Sequence, residues 1–202
     1  MMSLENVSVS HLTPEAKAEL SRLLIQERPA ATDIFHTAGM VPDDWQRKVL
    51  LDSAPRSILL CSRQAGKSTV SATLALFEAV CRPPALVLLL SPSLRQSSEL
   101  FRKVLDLYRA LPNPPRAIND SVLKIELTNG SRIVSLPGTE ETVRGYSAVR
   151  LLVVDEASRV PDELYFSVKP MLAVRGCEPF RFLTPIRQYK DSRWLPCSGK
   201  AL

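Results

Sequence analysis

Four short apolar runs punctuate the chain: Ile58–Cys61, Ala85–Leu90, Leu151–Val154 and the stretch from Pro179 to Leu183. Unbroken apolar runs of this length, bounded by polar residues, predict strands of a parallel sheet covered on both faces. Helical patterns lie between them. One opens at Pro42-Asp43-Asp44-Trp45-Gln46, with Val49, Leu50 and Leu51 apolar. Another runs from Lys67 to about Val80, and ends before Arg82-Pro83-Pro84. A third, capped by Ser91-Pro92-Ser93, reaches about Ala110 with Leu100, Phe101, Val104, Leu105 and Tyr108 inward. A fourth begins at Pro161-Asp162-Glu163 and extends to about Val174. Val122–Leu127 and Arg132–Leu136 flank Thr128-Asn129-Gly130-Ser131, an Asn-Gly hairpin signal. Strands alternating with helices predict an α/β three-layer sandwich around a mainly parallel central sheet. Upstream, Thr13-Pro14-Glu15 resembles a helix start, and Leu20, Leu23 and Leu24 make a stripe to about Gln26. A short helix is expected around Asp33 to Thr37. Residues 1–40 are therefore expected to form a helical N-terminal appendage and 41–185 the main domain. Residues 186–202 have no period of either kind and read as an irregular tail.

Composition narrows the class without deciding it. With 202 residues, 45% hydrophobic and 23% charged, the chain suits one soluble globular domain. A net charge of +5 is compatible with nucleotide or nucleic acid but does not demand either. The four cysteines, Cys61, Cys81, Cys177 and Cys197, include no C-x-x-C pair, and there are two histidines. That argues for reduced thiols in a cytosolic setting rather than a disulfide framework or a Cys/His metal site. No secretory leader pattern is present, and the longest apolar run, Ala85–Leu90, is far too short to cross a bilayer.

The candidate chemistry starts after the first strand. Ser62 to Gly66 is a tight polar loop, and Lys67-Ser68-Thr69 opens a helix. Strand, loop and helix in that order give Gly-Lys-Ser its meaning as a phosphate loop. The backbone N–H groups of the loop and the helix N-terminus would cradle phosphate oxygens. Lys67 would reach the β- and γ-phosphates, and the Ser68 hydroxyl would ligate Mg²⁺. The first glycine of the usual loop is missing, because Cys61 stands five positions before Gly66. An ordinary strand-to-helix turn is the alternative.

The strand Leu151–Val154 ends in Asp155-Glu156. An aspartate at the carboxyl end of such a strand would hold Mg²⁺ opposite Ser68, and Glu156 would activate the attacking water. A charged strand end is the alternative for this pair alone. Together with the loop, it predicts a P-loop NTPase that hydrolyses ATP with Mg²⁺.

Five stretches between about residues 42 and 185 resemble the ATPase domain of phage large terminase subunits, motors that package double-stranded DNA into capsids. They are Pro42–Gln46 with Val49 and Leu50; Ser62-Arg63-Gln64-Ala65-Gly66-Lys67-Ser68-Thr69; Ser91–Ser97 with Glu99–Phe101; Asn129–Ser131 through Arg144-Gly145 to Glu156; and Phe182-Leu183-Thr184-Pro185. The resemblance implies a RecA-like, ASCE-type core. It implies that Gln46 reads the adenine edge with Trp45 nearby, and it makes the missing glycine at Cys61 a family trait. Arg63 would neutralise γ-phosphate charge in cis. Arg144 would be offered to a neighbouring subunit's nucleotide, with a DNA-phosphate or turn role as the alternative. Gln96 would couple the nucleotide site to DNA, and the Thr184 hydroxyl would sense the γ-phosphate. The implied partners are double-stranded DNA, a portal protein, a small terminase subunit and further copies of the chain in a homo-oligomeric ring. The implied location is the bacterial host cytoplasm.

Such motors continue into a nuclease domain, and this sequence contains no cluster of acids for one. The pattern fails after Pro185, where Ile186-Arg187-Gln188-Tyr189-Lys190-Asp191 follows. A frameshifted or truncated product is therefore expected. Two alternatives to a working motor stay open: a prophage remnant that binds nucleotide or DNA without productive catalysis, and a fragment of a helicase-like ATPase.

Overall fold

The computed structural model describes residues 30–137 (53, 55 and 63 excepted), 145–168 and 180–185. The expected helix from Thr13, the residues Arg63 and Arg144, and the tail 186–202 lie outside them. Two helices come first, α1 (Ala31–Thr37) and α2 (Asp44–Leu51). Strand β1 (Arg56–Cys61) leads through the loop into α3 (Lys67–Cys81). Then come β2 (Leu86–Ser91), α4 (Leu94–Ala110), and three strands, β3 (Ala117–Ser121), β4 (Lys124–Leu127) and β5 (Arg132–Pro137). Strand β6 (Leu151–Asp155), a single 3-10 turn (Ala157–Arg159), α5 (Asp162–Val168) and β7 (Phe180–Pro185) follow.

The seven strands form one sheet in the order β1-β7-β6-β2-β5-β4-β3. The first five in that order run parallel, and β4 and β3 are antiparallel additions. Alternation inside the unbroken apolar runs serves two faces at once. Val87, Leu89, Leu151 and Val153 meet α1 to α4 on one side. Leu88, Leu90, Leu152 and Val154 meet Val160, Leu164 and Val168 on the other. Burial on both faces is why these strands carry no polar alternation. The expected α/β sandwich with a mainly parallel sheet is the observed architecture.

Helix α3 lies innermost, with Val70 to Leu76 buried without a break. Its two buried hydroxyl residues stay satisfied because Ser71 Oγ donates to Lys67 O (2.9 Å) and Thr73 Oγ1 to Thr69 O (2.9 Å). Helix α1 starts two residues earlier than Asp33. It buries Ala31, Ile34 and Phe35 in the same core as Val49 and Leu59, so this part of the expected N-terminal appendage is core material.

One local expectation differs from the structure. Val122–Leu127 is not one strand, because the chain turns at Val122-Leu123 and β3 precedes it as a sheet edge. Ala-Ile-Asn-Asp-Ser gives no apolar alternation, and Ile118 is 69% exposed, since an edge strand can face solvent. The Asn-Gly hairpin is present, with Gly130 at φ +83° donating to Leu127 O (3.0 Å) within the turn. Asn129 also pins it to the C-terminal end of α3, where Nδ2 donates to Ala79 O (2.9 Å).

Candidate active site

The carboxyl ends of the parallel strands meet at one edge of the sheet, and the candidate residues gather there. Cys61 ends β1, Pro185 lies opposite it on β7, and Asp155 on β6 lies opposite Leu183. Strand order therefore places β7 between the loop strand and the acidic strand. The backbone of Thr184, paired with Leu60, sits at this edge between Lys67's loop and Asp155.

Gly66 occupies the cap position of α3 with φ +85° and ψ +11°, a left-handed conformation that favours glycine. A glycine there offers no side-chain acceptor, so the first-turn N–H groups are left to an anion. The preceding loop residue Gln64 is also left-handed, at φ +62°. Lys67 Nζ donates to Ser62 O (2.8 Å) and Cys61 O (3.3 Å), which holds its ammonium over the loop. Ser68 and Thr69 follow in the first turn of α3, half-buried, and Thr69 N donates to Gly66 O (3.0 Å).

Asp155 and Glu156 close the other side. Asp155 Oδ1 accepts a hydrogen bond from Glu156 N at 3.0 Å. Burial, and then the neighbouring Glu156 charge, push the Asp155 carboxyl up from 3.8 to about 6. The Glu156 N–H, Lys67 and Lys103 act in the opposite direction, so the Lys67 ammonium is close enough to be felt at Asp155. Glu156 itself is left-handed, at φ +47°. A non-glycine residue held there costs on the order of 1–3 kcal/mol, and such strain concentrates at functional sites. Its Oε2 is shielded from solvent and accepts no hydrogen bond. Arg159 Nη1 stands 3.5 Å from it, an ion-pair distance without hydrogen-bond geometry.

The Asp155 shift has a consequence for stability. The folded state holds this proton more tightly than the unfolded chain, so the group's contribution is full below the ordinary value and is lost as pH rises through about 6. At neutral pH the ionised carboxylate costs about 3 kcal/mol. Asp155→Asn is expected to raise the melting temperature at pH 7.5 by several degrees and to change it much less at pH 4.5. Calorimetry at the two pH values checks it, and an equal shift at both would contradict the burial argument.

A cavity of about 400 Å³ opens beside the loop, lined by Trp45, Lys48, Val49, Leu59, Leu60, Cys61, Ser62 and Ala65. Its size and apolar walls suit a planar base. Trp45, expected near the base, is one of its walls. Lys48 was not singled out from the sequence, although positions i, i+3 and i+4 from Trp45 put Lys48 and Val49 on the same helix face. Gln46 points elsewhere. It is buried beneath the loop, where Asp43 N donates to its Oε1 (3.0 Å) and its Nε2 donates to Ala65 O (3.2 Å). Gln96 closes the cap of α4: its N–H donates to Ser93 Oγ (3.4 Å), which donates to Gln96 Oε1 (2.9 Å). That is the work of a helix cap. Burial also raises the Cys61 thiol, against the pull of Lys67.

The strand–loop–helix unit on this sheet defines an α/β fold of the P-loop NTPase class. Within that class the fold is shared with S. cerevisiae Dbp5 solved with RNA and ADP BeF3 (TM-score 0.58 at 18% identity, over 84% of this chain and 48% of that one), and the likeness in sequence is to terminase large subunits. The terminase large subunit of Thermus phage G20c is 25% identical over 160 residues, covering 70% of this chain and 33% of that protein. The large terminase ATPase domain of Thermus phage P74-26 superposes with a TM-score of 0.65 at 21% identity, over 78% of this chain and 70% of that one. The large terminase of a thermophilic bacteriophage, solved in complex with ADP, gives a TM-score of 0.59 at 14% identity, over 71% and 39%. No family model matches the chain. The resemblance to terminase ATPase domains seen in the motifs thus holds in sequence and in fold. The chain spans about a third of the length of the curated relatives it matches. Among the described residues, no helix is long and apolar enough to cross a membrane.

Proposed function

We propose that this chain hydrolyses ATP at the Gly66–Thr69 loop and, as the ATPase domain of a terminase large subunit, uses that hydrolysis to package double-stranded viral DNA. One observation carries the reading: the strand that leads into the Gly66–Thr69 loop and the strand that ends in Asp155 open at the same carboxyl edge of one parallel sheet, with β7 between them. The donors fit a hard cation, since Ser68 offers a hydroxyl and Asp155 a buried carboxylate, and Mg²⁺ prefers oxygen ligands shared with phosphate. Bound there with nucleotide, Mg²⁺ would neutralise charge on the phosphoryl group. The chain's own residues do the rest. Backbone N–H groups of the loop and Lys67 bind and orient the phosphates, and Glu156 takes the proton of the attacking water. Trp45, Lys48 and Val49 receive the base. Gln64 and Ala65 shape the loop. Thr184 serves as the γ-phosphate sensor, and Arg63 and Arg144 supply cation charge in cis and in trans. The partners in this reading are a portal protein, a small terminase subunit and further copies of the chain in a ring, in the cytoplasm of a bacterial host.

The test is ATP turnover by the purified chain, with and without duplex DNA. Turnover that duplex DNA stimulates, and that Lys67→Ala reduces by at least about a hundredfold, is the expected result. Nucleotide binding without turnover would identify the non-productive remnant. Stimulation by RNA but not by duplex DNA would favour the helicase-like reading.

A further inference from the structure

Trp45 and Gln46 are neighbours on α2 but serve different spaces. Trp45 lines the cavity, whereas Gln46 is 8% exposed and wedged between the start of α2 and the loop backbone. A carboxamide reads adenine by giving one donor and one acceptor to adjacent atoms of the base edge. Gln46 directs that donor and that acceptor at its own chain, to Ala65 O and Asp43 N. The fit is close: a Cβ on Gly66 would lie 2.6 Å from Gln46 Nε2. Gly66 is thus required twice, by its positive φ and by the amide beneath it.

Resting on the nucleotide reading above, we propose that Gln46 is a positioning residue for the phosphate loop rather than a base reader. Base discrimination then falls to the cavity walls of Trp45, Lys48 and Val49. The physical link is the Ala65–Gly66 peptide. In a planar trans peptide the C=O and the following N–H point in opposite directions. Anchoring Ala65 O on Gln46 Nε2 therefore turns the Gly66 N–H to the side away from Gln46 and fixes it as a donor of the loop. The Asp43 N–H on Oε1 fixes the amide in turn, so the bond reaches from the cap of α2 into the loop. Because Trp45 shares that helix, a base in the cavity and a phosphate on the loop are held by one rigid element.

The experiment measures binding of ATP, GTP and inorganic tripolyphosphate to the full chain by calorimetry with Mg²⁺. Gln46→Met keeps the side-chain length and volume and loses both hydrogen bonds. Gln46→Glu keeps an acceptor for Asp43 N and sets a carboxylate against Ala65 O. Gln46→Met is expected to weaken all three ligands alike, by about tenfold, with the ATP-to-GTP ratio within about twofold of the parent. Gln46→Glu is expected to weaken all three further. Tripolyphosphate has no base, so its loss can only come through the loop. Loss confined to ATP would overturn the proposal and make Gln46 a base reader, and no loss for any ligand would also overturn it. If the parent chain binds none of the three, the nucleotide reading falls first and takes this inference with it. Melting curves identify a misfolded variant, and the remaining one then decides.

Discussion

Glu156→Gln is expected to lower ATP turnover by about a thousandfold while leaving ATP affinity within about threefold of the parent chain. The glutamine is isosteric, so the backbone turn and the packing around it stay, and only the charge and basicity go. Glu156 Oε2 is hidden from solvent and accepts no hydrogen bond, and its ion-pair partner, Arg159 Nη1, lies 3.5 Å away. A carboxylate oxygen shielded from solvent without a hydrogen-bond donor is costly to hold. The φ of +47° adds a second cost, and it aims the side chain from the end of β6 in a direction that regular strand geometry would not give. Two costs fall at one residue, beside an aspartate whose carboxyl is pushed up to about 6, which is what the proposed role of Glu156 as base would need. Phosphate release at saturating ATP gives the rate, and titration with a fluorescent nucleotide gives the affinity. If turnover survived within tenfold, Glu156 would not be the base. Lys67→Ala should behave differently, losing affinity and rate together, because its ammonium would meet the phosphates in the ground state as well as in the transition state.

The features legible in the sequence are those whose cause is local. Leu86–Ser91 and Leu151–Asp155 announced themselves because burial on both faces forces an unbroken apolar run. Gly66-Lys67-Ser68 was legible because a strand-to-helix turn with a positive φ needs glycine at that place. Asp155-Glu156 stood out because two acids ending such a strand are costly unless used. What stayed hidden depends on distant partners. The order β1-β7-β6-β2, which brings Thr184 between loop and acids, is a property of long-range pairing that no run reveals. Strand β3 is polar because it is an edge, and so it looks like a loop. Gln46 was legible as a residue of interest, but its target was not, because that target lies 19 positions away on a carbonyl. The bonds of Gln46 are set by how α2 packs on the loop.

Glu78→Ala is expected to destabilise the fold by about 3 kcal/mol, which for a chain of this size lowers the melting temperature by roughly 6–12 °C. Glu78 sits in the last turns of α3, is 5% exposed, and answers two arginines. Oε1 accepts from Arg82 Nη1 at 2.9 Å, and Oε2 accepts from Arg150 Nε at 3.2 Å. Arg82 is half-exposed and also lies over the Phe77 ring, 5.2 Å from its centroid, so it loses little when Glu78 goes. Arg150 is more deeply set, with 26% of its side chain exposed, and it would lose the carboxylate at a partly dry site. That asymmetry places most of the cost on the Arg150 bond. The bond also joins two parts of the site from behind, since α3 starts at the phosphate loop and Arg150 directly precedes β6, which ends in Asp155. Glu78→Gln should fall between the parent and the alanine variant, because the amide oxygen still accepts one hydrogen bond. Glu78→Met combined with Arg150→Met should cost less than the sum of the two single substitutions, since the bond they share is lost only once. Thermal melts of the parent, Glu78→Ala, Glu78→Gln, each single methionine variant and their double decide it. Simple additivity of the two methionine substitutions would show that the Glu78–Arg150 bond contributes no coupling of its own.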